Sequence, residues 1–221
     1  MASEMQPIHA MVFKCVYIDA VDCAFIAPPA DYWARFLAPS ELWRYARDPG
    51  NHLPESFLER ACAAHDECFA IGAGDDLAAY GWYSTSANHF TDELTLHFSP
   101  LWVYMYRGFT HPAHRGKRLH AIGMTMALAA YQARGFKGLV SCVEAANEAS
   151  LKSVYRMGYR TFGTIMGARL GALVHVPRSK SRLLDHQLVL CSPGCRRFGF
   201  RLERTKPVPA EAAELLEPIE I

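Results

Sequence analysis

Gly108-Phe-Thr-His-Pro-Ala-His-Arg-Gly-Lys-Arg-Leu-His120 is the stretch on which the fold of this chain turns. An aromatic run from Leu101 to Thr110 (LWVYMYRGFT) leads into it and reads as a β-strand, which His111-Pro112 stops. A helix is expected from Lys117 to Arg134, because Leu119, Ile122, Met126, Ala129 or Ala130, and Ala133 recur at helical spacing. Gly135 then serves as its C′ residue, with Arg134 near the negative end of the dipole. A helix start offers unpaired N–H groups and a positive dipole end, which together favour phosphate. Here Arg115, Lys117 and Arg118 add charge, His114 and His120 flank them, and Gly116 lets a ligand approach the backbone. Two readings fit these residues: a cradle for a pyrophosphate, or a basic loop that simply opens a helix.

Working outward, Gly138 to Val143 is a short, almost continuously apolar run, as expected of a buried central strand. A helix follows over about Glu148 to Met157 and ends at Gly158. Upstream, Glu67 to Gly72 and Leu77 to Thr85 flank the turn Ala73-Gly74-Asp75-Asp76 and form a hairpin candidate. Met11 to Ile18 (MVFKCVYI) reads as a first strand, broken by Pro28-Pro29. From Asp31 to about Arg47, Trp33, Phe36, Leu37, Leu42, Trp43 and Tyr45 suggest one or two short helices, with Ser40 capping the second. Pro54 to Ala64 is another helix candidate. Strand-like stretches near Thr161 to Leu170 and Cys195 to Leu202 close the order, joined by a basic connection around Arg178 to Arg182. The fold class expected is α/β (α+β): a mixed sheet flanked by helices, with a strand–helix–strand unit at its middle. Residues 1–204 are read as one domain, and 205–221 as a Pro-, Glu- and Ala-rich tail.

Bulk properties narrow the function. The 221 residues are 51% hydrophobic and 20% charged, as in ordinary globular proteins. Lys and Arg total 23 against 22 acidic residues, so no global field recruits nucleic acid or an anionic membrane. Any anion site must be local. Seven irregularly spaced cysteines, and an N-terminus without a signal-peptide pattern, lead us to expect a reduced, cytoplasmic protein with buried thiols. No apolar run approaches the length of a membrane span.

A second segment gives the first its context. Asn147-Glu-Ala-Ser-Leu-Lys-Ser-Val-Tyr-Arg-Met-Gly158-Tyr159 resembles the Asn-x-x-Ser-x-x-x-Tyr-x-x-x-Gly-Phe segment of the GNAT (GCN5-related N-acetyltransferase) superfamily. The stretch from His111 to His120 resembles that family's Arg-Gly-x-Gly-x-Gly signature, which opens a long helix after a strand and turn. The likeness is specific from about Tyr104 to Phe162 and implies the acyl-CoA N-acyltransferase fold.

The resemblance implies particular roles. Backbone groups of Gly108, Phe109 and Thr110 would pair with a pantetheine arm as though it were an added strand. Backbone N–H groups of Arg115, Gly116, Lys117, Arg118, Leu119 and His120 would hold the pyrophosphate of acetyl-CoA or another acyl-CoA. Asn147 and Ser150 would contact the donor further along, although Asn147 fits a plain helix N-cap equally well. Two positions depart from the family. Arg118 and His120 stand where glycine is usual, so they either crowd the phosphates or, for Arg118, add a contact to one. The family's tyrosine, often the acid that protonates the leaving thiolate, aligns with Val154. Tyr155 lies one residue on, about a hundred degrees around the helix.

The implied reaction is direct attack of an amine on a thioester, consistent with the absence of a Gly-x-Ser-x-Gly nucleophile elbow. Candidates for proton transfer or amine contact are Glu144, Tyr106, Tyr155, Tyr104 and Glu93. Glu144 closes an apolar strand and needs a partner, either an incoming ammonium or Arg107 or Lys152. Trp102, Tyr104 and Tyr106 share one face and would otherwise form an aromatic layer. No metal is expected: Arg and Lys oppose a cation at His111, His114 and His120, and His186 with Cys191 and Cys195 lacks zinc spacing. Ser-Pro-Gly between those cysteines reads as a turn. Arg196-Arg197 and Arg178 to Arg182 are solvated surface or a patch for an acidic partner. The expected partner is a small-molecule amine, with an acyl carrier protein as an alternative donor and a homodimer as an alternative assembly. A non-catalytic acyl-CoA-binding module is the competing class, motivated by Val154.

Overall fold

The computed structural model describes residues 9–91, 94–169, 182–184 and 187–205. The chain begins with β1 (His9–Ile18), β2 (Trp33–Leu37), α1 (Pro39–Ala46) and α2 (Glu55–Ala63). It continues through β3 (Glu67–Ala73), β4 (Asp76–Ser84), β5 (Asn88–Thr91), β6 (Leu94–His97) and β7 (Trp102–Thr110). Then come α3 (Leu119–Ala133), β8 (Gly138–Glu144), α4 (Glu148–Arg156) and β9 (Arg160–Arg169). The described part ends with β10 (Arg182–Leu184), β11 (Gln187–Cys191), α5 (Pro193–Arg197) and β12 (Arg201–Arg204).

Nine strands form one sheet in the order β10-β11-β9-β1-β8-β7-β4-β3-β2, and β12-β6-β5 form a second. Within the large sheet β7 and β8 are parallel, and the other pairs are antiparallel. That parallel pair is joined by the crossover helix α3, as a strand–helix–strand unit requires. This is the mixed α/β architecture expected from the sequence. The first strand, β1, fills the slot between β8 and β9.

Strand alternation sorts the side chains onto two faces. On one face Phe69, Tyr83, Val103, Met105 and Leu139 meet Met124, Ala127, Leu128 and Tyr131 of α3 and Val154 of α4. On the other, Cys68, Ala70, Tyr80 and Trp82 meet Leu42 and Tyr45 of α1 and Phe57, Leu58 and Ala61 of α2. Further along that second face, Cys15, Tyr104, Val140 and Ile165 are covered by Leu94, Leu96, Phe198, Phe200 and Leu202. No described helix is long and apolar enough to cross a membrane.

Three expectations are corrected. The stretch from Asp31 to Arg47 is not helical throughout, because Trp33–Leu37 pairs with β3 from Trp33↔Gly72 to Leu37↔Cys68. Edge pairing overrides a helical reading of those aromatics, and α1 starts only at Pro39. Ser40 is not the cap. Ala38 holds that position, and its N–H donates to Glu41 Oε2 at 3.1 Å. Likewise Cys195 to Leu202 is not one strand. Ser192 holds the N-cap position of a short helix with Pro193 at its first turn, and β12 begins only after Gly199. Residues 178–181, 206–221, Glu93 and His186 lie outside the described residues; Arg182 opens β10.

Candidate functional site

The parallel ladder between β7 and β8 covers Trp102↔Gly138, Val103↔Leu139 and Tyr104↔Val140. Beyond Tyr104 each strand keeps its outer neighbour instead. β7 stays on β4 up to Thr110↔Ala79, and β8 stays on β1 up to Glu144↔Phe13. The cause is local. On β4, Trp82 opposes Arg107 and Tyr83 opposes Met105, which leaves Tyr106 as one extra residue in β7. A bulge of this kind bends and twists its strand. The result is a V in the middle of the sheet, with peptide edges from Met105 to Thr110 on one side and Ser141 to Glu144 on the other.

The V opens onto the start of α3. The His111 N–H donates to the Ala78 carbonyl at 2.9 Å, and His111 Nδ1 accepts from the Ala113 N–H at 3.3 Å. Arg115 Nε donates to the Thr110 carbonyl at 3.3 Å, folding the turn back on the strand. Gly116 has φ +81°, and a Cβ built there would meet nothing within 4 Å. The first helical bond runs from the Ile122 N–H to the Arg118 carbonyl, so Leu119, His120 and Ala121 present N–H groups to the opening. Among the described residues Arg115, Lys117 and Arg118 are exposed and none is ion-paired. Lys117 Nζ donates to the Tyr32 hydroxyl at 2.6 Å, and that hydroxyl pairs with His114 Nδ1 at 2.9 Å. Tyr32, which the sequence reading passed over, thus pins the cradle to the segment before β2.

The two departures from glycine find physical explanations. Arg118 has φ 59°, ψ 20°, a left-handed conformation that glycine adopts freely and other residues adopt at a cost of about 1–2 kcal/mol. Its guanidinium rests 6.0 Å from the Phe25 ring centroid. His120 is turned onto the sheet. A Cβ on Gly108 would stand 2.5 Å from His120 Cε1, and Gly81, opposite Gly108, is covered by the Tyr83 ring. The paired glycines make room for these two rings. A small cavity is left between them, lined by Gly81, Tyr83, His120, Gly123 and Met124 among others.

On the opposite face the bulge aims Tyr106 at a carboxylate that sequence reasoning missed. The Tyr106 hydroxyl donates to Asp66 Oδ2 at 2.9 Å, and Asn88 Nδ2 donates to the same oxygen at 2.9 Å. Ser84 leans towards the carboxylate too, but its proton goes to the Ser86 carbonyl at 3.1 Å. Asp66 Oδ1 is buried without a partner among the described residues. Burial raises the Asp66 pKa, opposed by nearby Ser84 and by the hydrogen bonds of Tyr106 and Asn88. Burial, and then the Asp66 charge, push the Tyr106 phenol well up, so it stays protonated. Tyr104 stacks beside Tyr106 at 6.0 Å, and Trp102 packs 4.9 Å from Phe198, so the aromatic layer exists around the polar pair.

The other anticipated residues lie as follows. Glu144 is exposed at the end of β8, and neither expected cation meets it: Lys152 pairs with Glu148 at 3.2 Å, and Arg107 donates to the His52 carbonyl at 2.8 Å. Tyr155 is 44% exposed with its hydroxyl 2.9 Å from Thr161 Oγ1, while Val154 is buried in the core. Asn147 is the N-cap of α4, its Oδ1 accepting from the Ser150 N–H at 3.0 Å. Among the described residues no cluster of three or more His, Cys, Asp or Glu side chains is arranged to hold a metal ion.

His120 supplies a test of this geometry by stability. Burial disfavours its charged form and lowers its pKa to about 4, against about 6.5 in an unfolded chain. Its contribution is therefore complete above about pH 6.5 and is lost as pH falls towards about 4. The thermal midpoint should fall across that window, and less steeply in His120→Gln; equal slopes would mean that another group titrates.

Comparison with known proteins places this geometry. The sequence model of the Acetyltransferase (GNAT) family matches residues 32–159, a span that includes both the V and the cradle. No curated protein matches the chain. Among solved structures, a GCN5-related N-acetyltransferase-like protein from Streptococcus suis superposes with a TM-score of 0.50 at 10% identity, over 73% of this chain and 61% of that one. A protein described as a GNAT-family acetyltransferase from Novosphingobium aromaticivorans gives a TM-score of 0.48 at 13% identity, over 90% of this chain and 66% of that one. The chain thus spans three-fifths to two-thirds of these structures, and at 10% identity the likeness to the Streptococcus suis structure is one of fold alone.

Proposed function

The chain belongs to the Acetyltransferase (GNAT) family, and from that premise we propose that it transfers an acyl group, acetyl in the simplest case, from acyl-CoA to the amine of a small molecule. The observation that carries the proposal is the V between β7 and β8, opening onto the uncapped, basic start of α3. A pantetheine arm carries two amide groups, and the strand edge at Gly108, Phe109 and Thr110, left by β8 and met only by Arg115 at the Thr110 carbonyl, suits them as an added strand would. N–H groups from Arg115 to His120 suit the pyrophosphate, with Arg115, Lys117 and Arg118 supplying countercharge. Asn147 and Ser150 at the start of α4 form the opposite bank.

In this reading the amine attacks the thioester carbon directly. Peptide N–H groups at the splayed edge stabilise the oxyanion, and the ammonium proton must leave. Asp66 is the group we assign to receive it. Its pKa is raised and one of its oxygens is unpartnered among the described residues. Tyr106, protonated and bonded to Asp66, links that carboxylate to the bulge. Glu144, exposed at the other lip, is suited to pass a proton to solvent. Tyr155 would have to leave Thr161 to act as the acid.

A carrier-borne donor is the second reading, favoured by the exposure of the same three unpaired cations, which would suit the acidic surface of an acyl carrier protein. Turnover measured with acyl-CoA and with acyl carrier protein across a panel of amines decides between the donors, and turnover on any amine removes the non-catalytic class.

Two substitutions test the parts separately. Gly116→Glu adds strain at a positive φ and a negative charge beside the phosphates, and should weaken CoA binding about tenfold or more. Unchanged affinity in the folded variant would contradict the cradle. Asp66→Asn should lower kcat/KM about a hundredfold with CoA affinity retained, whereas an unaltered rate would remove Asp66 from proton transfer.

A further inference from the structure

Three of the seven cysteines meet beneath the V. Cys15 on β1 and Cys142 on β8 are register partners across the antiparallel ladder, with sulfurs 3.9 Å apart. Cys195 of α5 approaches Cys15 from behind, again at 3.9 Å. Directly opposed residues on antiparallel strands have Cα atoms about 4.5–5.5 Å apart, inside the window of about 4.4–6.8 Å that a disulfide spans. A small rotation about each Cα–Cβ bond would therefore bring Cys15 and Cys142 to bonding distance without moving a strand.

The three differ in access. Cys15 and Cys195 are 0% exposed, whereas Cys142 is half-buried. Cys142 lies two residues beyond Val140, the last β8 residue paired with β7, so it stands at the floor of the V beside the Tyr104 hydroxyl. Of the three thiols Cys142 alone is accessible, so a small oxidant meets it first. Hydrogen bonding to Cys142 and Cys195, and then burial, push the Cys15 thiol far up, so it waits as a thiol.

We propose that Cys142 and Cys15 are a modification site, oxidised by a hydroperoxide to an intrachain disulfide. Cys142 attacks the terminal peroxide oxygen, the O–O bond breaks, and an alcohol (water, if the oxidant is hydrogen peroxide) leaves, giving a sulfenic acid. The Cys15 sulfur then attacks the Cys142 sulfur. The S–O bond breaks, and the hydroxide leaves as water with the Cys15 proton. In sum, two thiols lose two electrons and two protons, and the hydroperoxide becomes one alcohol and one water. The site does not depend on the acyltransferase reading.

The test is peptide mapping of the dilute full-length protein after a stoichiometric dose of hydrogen peroxide, with the remaining thiols alkylated. The expected product is a linked Cys15–Cys142 peptide lighter by two hydrogens than its two thiol peptides. In Cys142→Ala, with its fold checked by circular dichroism, Cys15 should remain alkylatable at the same dose. The proposal is overturned if Cys142 proceeds to sulfinate while Cys15 stays free, if no linked peptide forms, or if Cys15 is oxidised equally in the variant. Crosslinks through the exposed Cys23 or Cys191 map to different peptides and do not count towards it.

Discussion

β7 carries one residue more than the stretch of β4 it pairs with, and the extra residue is Tyr106. Neighbouring strands normally stay about 4.8 Å apart along their length. A bulge twists its strand out of that lattice, and here β7 leaves β8 two residues earlier, after Tyr104. The gap does not fray, because β4 holds the outer edge of β7 and β1 holds the outer edge of β8. Unpaired peptide groups inside a sheet are costly unless something pairs with them. An extended ligand with its own amides would meet that need.

The rest of the site leans on this divergence. The same bulge that opens the V on one side turns Tyr106 towards Asp66 on the other, so the open strand edge and the polar pair are coupled through a single residue. At the mouth, the turn after β7 is tied back by Arg115 to Thr110 and forward by Lys117 to Tyr32, which fixes where the helix N-terminus faces. Gly108 serves twice: its peptide edge lines the V, and its missing side chain lets His120 lie flat on the sheet. The N-terminal strand contributes as well, since without β1 the free half of β8 would have no partner to hold it.

Local chemistry was legible in the sequence, and long-range pairing was not. The strand, turn and helix from Leu101 to Ala133 announce themselves by composition and period, and the hairpin of β3 and β4 by its turn residues. The N-cap reading of Asn147 also holds, its Oδ1 accepting from the Ser150 N–H. By contrast, Trp33 to Leu37 has aromatic spacing that a helix would tolerate, and only its ladder with β3 makes it a strand. Asp66 was invisible because its two hydrogen-bond donors stand 22 and 40 residues away. The left-handed backbone of Arg118 also emerges only from the structure, since a sequence does not display a φ of 59°.

Hydrogen exchange of the backbone amides with and without CoA tests the account most directly. Exchange should slow in two separated segments, Met105–Thr110 on the splayed strand and Gly116–Ala121 at the helix start, with the remainder of the large sheet unchanged. Protection confined to other segments, or no protection at saturating CoA, would contradict the V and its cradle as the donor site.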